Sequence, residues 1–193
     1  MSSGSTIKVF PTLINYTNNF LDKKECEELI NLTLNKKLNS HLCLKGKAKS
    51  THTLSSNILN NSKSTILKKI NNKTNEYAVD YGVKKLKLAN SWINIQNKNS
   101  VLNKHSHPDS IVSGALYLKI DKDSSKIYFY NPNPYLNFVN IYKQTEFTCE
   151  NYFFTPQIGD LILFPSWLMH GSNNEKNDSI KRIVLSFNTT YLC

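Results

Sequence analysis

The chain has 193 residues, enough for a single domain with a core of its own, and carries 24 Lys+Arg against 14 Asp+Glu for a formal net charge of +10. Its residues are 39% hydrophobic and 11% aromatic, and no apolar run approaches the roughly 18 residues of a membrane span or forms a signal-peptide core. The four cysteines (Cys26, Cys43, Cys149 and Cys193) show no C-x-x-C spacing, so neither a zinc knuckle nor a disulfide framework is suggested.

Reduced thiols without an export signal imply a cytoplasmic protein. The lysines are scattered rather than blocked, so the charge reads as a solvated surface. The same excess also suits nucleic acid, an acidic protein or an anionic substrate.

In chain order, residues 1–5 are small and polar and predict no regular structure. Residues 7–14 alternate as a short strand, and Pro11 favours an edge position. Asp22 and Glu25 form a D-x-x-E helix start, and Leu29, Ile30, Leu32, Leu34 and Leu38 carry the helix to about residue 38. Residues 40–59 are polar and weakly patterned, a loop in which His41 and His52 read as ordinary surface histidines. A second helix is predicted over 62–81, with Ile66, Leu67, Ile70, Tyr77 and Tyr81 as its core stripe and Gly82 as its stop.

Strand patterns then follow at 86–96, 111–120, 125–130, 147–154, 160–164 and 182–190. Asn131-Pro-Asn-Pro134 and much of 135–145 form a loop. Helices followed by many short strands predict a mainly β barrel or jelly roll buttressed by N-terminal helices. The only compositional shift is near Gly82, so one domain is expected over 1–193. It has a strand-and-helix buttress over 1–85 and a β core over 86–193.

The chemistry concentrates in His105-Ser106-His107-Pro108-Asp109, just ahead of a strand. A further histidine ends the run Gly159-Asp-Leu-Ile-Leu-Phe-Pro-Ser-Trp-Leu-Met-His170. Imidazole and carboxylate ligands with coordination positions left open suit a non-haem Fe(II) site, whereas closed cysteine sets suit structural zinc. Residues two apart on a strand share a face, so His105 and His107 can ligate together, as can His107 and Asp109 if the strand runs past Pro108.

Arg182 is the only arginine in the chain. Its planar fork binds a carboxylate through two parallel hydrogen bonds, which lysine cannot copy. Arg182, Val184, Ser186 and Asn188 share one strand face, so Ser186 can add a hydroxyl to the same carboxylate. Ile183, Leu185 and Phe187 take the core face.

These features resemble the 2-oxoglutarate- and Fe(II)-dependent oxygenases, in particular the prolyl-hydroxylase-like oxygenases of bacteria and phages. The resemblance rests on Trp92 to Gln96, on His105 to Leu118 with Ser113-Gly114-Ala-Leu-Tyr-Leu118, and on Gly159 to Asn188. It implies a double-stranded β-helix of jelly-roll, cupin-like form, with iron at its open end. 2-Oxoglutarate would chelate the metal and place its far carboxylate on Arg182, with Tyr117 and Asn94 as further contacts. O2 would split the cosubstrate to succinate and CO2, and a C–H bond of an unknown primary substrate, peptidyl (prolyl included) or small, would be hydroxylated.

Two metal triads stay open. His107, Asp109 and His170 match the family's residue types, and a carboxylate balances the charge of Fe(II); this set is preferred. The alternative, His105, His107 and His170, leaves Asp109 as a neighbour of the ligands. Two rival functions also stand. A nucleic-acid-acting dioxygenase fits the charge, but the repair enzymes carry a second arginine six residues after the first, where this chain has Asn188. A non-enzymatic metal- or sugar-binding jelly roll would bind metal without 2-oxoglutarate.

Overall fold

The computed structural model describes residue 5 and residues 7–54 and 56–192. The expectations for residues 1–4 and for Cys193 lie outside these residues. The elements in chain order are β1 (Asn15–Thr17), α1 (Lys23–Asn31), β2 (Leu44–Lys45), β3 (Ala48–Ser50), α2 (Ser64–Tyr81), β4 (Leu86–Asn97), β5 (Val101–Leu102), β6 (Val112–Lys119), β7 (Ile127–Tyr130), β8 (Asn151–Phe154), β9 (Leu161–Pro165), β10 (His170–Gly171) and β11 (Lys181–Tyr191). No described helix is long and apolar enough to cross a membrane.

Local chemistry sets the helix ends. The Asp22 carboxylate accepts the Glu25 N–H at 2.8 Å and the Glu25 carboxylate accepts the Asp22 N–H at 3.1 Å, a complete capping box for α1. The helix stops at Asn31, well short of residue 38. There the Thr33 hydroxyl turns back onto the Ile30 carbonyl at 2.6 Å, and Leu34 beyond it is 71% exposed, so no apolar face continues the helix. Helix α2 buries Ile66, Ile70 and Tyr77 and ends where Gly82 takes a φ of 75°. The strand expected over 7–14 does not form. Pro11 has no N–H to give a ladder, and the edge strand begins at Asn15 instead.

Six strands form one antiparallel sheet in the order β1-β9-β6-β11-β4-β3, and three form a second in the order β10-β7-β8. A two-strand ladder joins β2 to β5. The larger sheet has two differently used faces because its strands alternate. Its outer face (Ile93, Leu116, Leu118, Leu185, Phe187) packs with Leu29, Ile66, Ile70 and Tyr77 of the helices in the main core. Its inner face (Ala115, Tyr117, Ile162, Phe164, Val184) meets Ile127 and Phe129 of the smaller sheet in a second cluster. Two packed sheets with helices on one outer side make the double-stranded β-helix the sequence predicted.

Candidate metal and cosubstrate site

Backbone pairing gathers the three histidines. The main chains of His105 and His170 exchange both hydrogen bonds at 2.9 Å, and the His107 N–H donates to the Ser166 carbonyl at 2.9 Å. The segment that follows β5 thus pairs antiparallel with the start of β10 through a His105–His170 bridge. One ligand nitrogen from each of His105, His107 and His170 lies within 4.8 Å of the others. The Nε2 atoms of His105 and His107 are 3.2 Å apart.

Hydrogen bonding fixes which nitrogen of each ring is free. Nδ1 of His105 lies 2.8 Å from the Asn103 carbonyl, and Nδ1 of His170 lies 2.9 Å from the Leu168 carbonyl. Nδ1 of His107 lies 2.7 Å from Asn188 Oδ1 and 2.7 Å from the Ser113 hydroxyl. The Ser113 hydroxyl itself donates to Asn188 Oδ1 at 2.8 Å. Carbonyl oxygens only accept, so each Nδ1 carries the hydrogen and each Nε2 keeps its lone pair. Burial holds the rings neutral. It is the main reason that His107 is pushed down to about 4, that His105 is lowered and that His170 lies well below the ordinary histidine value. Three neutral imidazoles with lone pairs on one side are a facial ligand set for a divalent metal with positions left open.

Asp109 does not join them. It is exposed and sits in a turn at a φ of 62°, so the alternation that places His105 and His107 on one face ends at Pro108. Of the two candidate sets, the structure brings together His105, His107 and His170, whereas Asp109 of the preferred set stands apart from His107 and His170.

The other end of the same cavity is lined by Trp92, Asn94 and Gln96 of β4, by Arg182, Val184 and Ser186 of β11, and by Tyr117 of β6. Arg182 is 4% exposed and has no acidic partner among the described residues. Its Nη1 donates to Gln96 Oε1, and its guanidinium carbon lies 5.3 Å from the centre of the Tyr117 ring. Burial pushes the Tyr117 phenol up to about 12 against the pull of Arg182, so it stays a donor at neutral pH. Asn94 Nδ2 donates to the Ser186 hydroxyl at 3.2 Å.

Four buried donors here lack any acceptor: Arg182 Nε, Tyr117 OH, Gln96 Nε2 and Trp92 Nε1. Each such group costs about 1–3 kcal/mol, and a charged one more. Among the orphaned atoms of this wall only Asn94 Oδ1 is an acceptor. An oxygen-rich anion such as a carboxylate would satisfy this donor set.

All four residues proposed for the cosubstrate (Arg182, Ser186, Tyr117 and Asn94) line the cavity. Sequence reasoning did not single out Gln96, which lines the cavity and contacts Arg182, although it stands two places from Asn94 on the same alternating strand. It also missed Asn188 as the group that orients His107. His41, read as a surface residue, lines the cavity too. Its only signal is tertiary, since the β2–β5 ladder carries it to His105.

A jelly roll that gathers three imidazoles beside a buried, unpaired arginine has the parts a metal-dependent oxygenase with a carboxylate cosubstrate would need. The chain belongs to the 2-oxoglutarate- and Fe(II)-dependent oxygenases: the family model described as "Putative 2OG-Fe(II) oxygenase" matches residues 90–188, just over half of the chain. It depends on Fe(II) and 2-oxoglutarate, and by family on O2.

Three solved structures show the same fold at low identity. HygX from Streptomyces hygroscopicus, with nickel and 2-oxoglutarate bound, is 13% identical over 93% of this chain and 83% of its own, at a TM-score of 0.61. The collagen prolyl hydroxylase of Paramecium Bursaria Chlorella virus-1 is 15% identical over 93% and 96%, at 0.56. A Pseudomonas putida prolyl-4-hydroxylase is 12% identical over 94% of each chain, at 0.60. No curated protein matches the sequence.

Proposed function

We propose that this oxygenase hydroxylates a peptidyl, prolyl-type substrate, holding Fe(II) on His105, His107 and His170 and 2-oxoglutarate on Arg182 and Tyr117. The observation that carries the site assignment is a fully buried arginine without an acidic partner, in one cavity with three imidazoles whose Nε2 lone pairs converge. The substrate class is supported by the viral and Pseudomonas proteins, which are prolyl hydroxylases by name and nearly the length of this chain. The +10 charge also fits nucleic acid, but Asn188 is engaged with His107, so that position carries no second anion-binding arginine. Cys26, Cys43 and Cys149 are free, which supports a reducing, cytoplasmic setting. The chain is read as one domain, since a single core cluster unites residues of the helical half with residues of the β half.

When bound, the metal would activate O2, which takes two electrons from 2-oxoglutarate as it becomes succinate and CO2 and two from the substrate C–H bond. The chain's own part is positional. Asn103, Leu168 and Asn188 hold three Nδ1–H groups so that the Nε2 atoms face the metal. Arg182 and Tyr117 fix the far carboxylate, and Ser186 and Asn94 line the wall along the cosubstrate. Phe164, Ile127 and Val184 give the cavity an apolar side that excludes water.

An anaerobic mixture of protein, Fe(II) and 2-oxoglutarate tests this reading through the visible absorption of the bound chelate. The band is expected with wild type and lost in Arg182→Lys while iron still binds, because a point charge cannot replace the fork. A wild-type protein that binds iron but shows no band would leave a non-enzymatic metal-binding jelly roll.

A further inference from the structure

Gln96 faces Arg182 directly across the β11–β4 ladder and is 1% exposed. Its Oε1 accepts from Arg182 Nη1, which sets the orientation of the amide. Its Nε2 then has no acceptor, and neither does Arg182 Nε nor the Tyr117 hydroxyl in the same cavity. Glu175, the acidic group whose field reaches Arg182, is engaged elsewhere: it accepts from the Tyr128 hydroxyl at 2.9 Å and from the Lys126 N–H at 3.4 Å. The side chains that contact the arginine, Gln96 and Tyr117, are therefore both neutral.

We propose that Gln96 is the positioning and selecting residue of the cosubstrate pocket, a neutral clamp that orients the Arg182 guanidinium and donates its own Nε2–H to the far carboxylate of 2-oxoglutarate. This rests on the 2-oxoglutarate reading above. An amide accepts on one side and donates on the other, which matches a position between a guanidinium and a carboxylate. A glutamate has the same length and shape but presents oxygen on both sides. At this buried position it would pair with Arg182 and neutralise the charge that draws the ligand, and it would set two carboxylates against each other. The identity of residue 96, not only the presence of Arg182, thus decides whether the pocket takes a dicarboxylate.

The test compares wild type, Gln96→Glu and Gln96→Leu, each loaded with Mn(II) to prevent turnover and titrated by calorimetry with 2-oxoglutarate and with pyruvate, which lacks the far carboxylate. Mn(II) affinity is expected to stay unchanged in all three. Affinity for 2-oxoglutarate should fall roughly tenfold in Gln96→Leu, which keeps the arginine's charge, and on the order of a hundredfold in Gln96→Glu, which cancels it. Pyruvate binding should not distinguish them. The ligand-free melting temperature of Gln96→Glu should rise above that of Gln96→Leu, because the former gains a partner for Arg182.

A merely structural role for Gln96 gives the opposite order, with the isosteric Glu the milder change, and that result would overturn the proposal. So would 2-oxoglutarate binding by Gln96→Glu within twofold of wild type. Wild-type protein that binds Mn(II) but no 2-oxoglutarate would overturn the cosubstrate reading and the proposal with it.

Discussion

Each of the three clustered histidines is defined by what its Nδ1 touches. Two rest on main-chain carbonyls and the third on Asn188 and Ser113, so none needs a carboxylate to select its tautomer. His105→Ala is accordingly expected to weaken Fe(II) binding at least roughly a hundredfold, and Asp109→Ala to leave it within about twofold. Anaerobic metal titration of the two variants checks this, and equal losses would restore Asp109 as a ligand. The i, i+2 spacing made His105 and His107 legible as partners in the sequence. Spacing alone did not choose between the two candidate sets, because His107 and Asp109 are also two apart. Nothing in the letters says that Asp109 takes a left-handed turn, although aspartate tolerates that conformation better than most residues. The role of Asn188 was hidden for a different reason, since it depends on a partner 81 positions away.

Among the elements, strands of four residues or more were legible and shorter ones were not. The strands β4, β6 and β11 fall within a residue or two of the bounds their alternation predicts. The two-residue strands β2, β5 and β10 are too short for a period of two to register, yet β2 and β5 bring His41 to the cavity and β10 holds His170. The turn before β9 shows how such short features place the site. Gly159 has a φ of 87°, its N–H donates to the Tyr117 carbonyl at 2.8 Å, and its carbonyl accepts the Leu21 N–H at 3.0 Å. A Cβ there would run into the Leu21 carbonyl oxygen. Gly159→Ala is expected to lower the unfolding free energy by roughly 1–3 kcal/mol in a urea titration. It should also weaken 2-oxoglutarate binding, because Tyr117 hangs on the same turn. A neutral effect on both would show that the turn relaxes freely.

For the molecule as a whole, one sheet serves both stability and chemistry. Leu185 is fully buried against the helices, between Val184 and Ser186 of the cavity wall. Leu185→Ala is expected to cost about 2–5 kcal/mol of stability. Saturating Mn(II) and 2-oxoglutarate should then return part of it, about 2.7 kcal/mol for a ligand at a hundred times its Kd. Urea unfolding with and without both ligands measures this, and a variant that ligands fail to rescue would mean that the core change reaches the pocket. The alternation of β4, β6 and β11 has a wider consequence. It separates each strand into two interleaved sets of positions, one free to drift among apolar residues of similar volume and the other free to change chemistry without disturbing the packing behind it. A lineage built this way can exchange its reactions while keeping its frame. That is why proteins sharing only 12–15% of their residues still superimpose over more than nine-tenths of this chain.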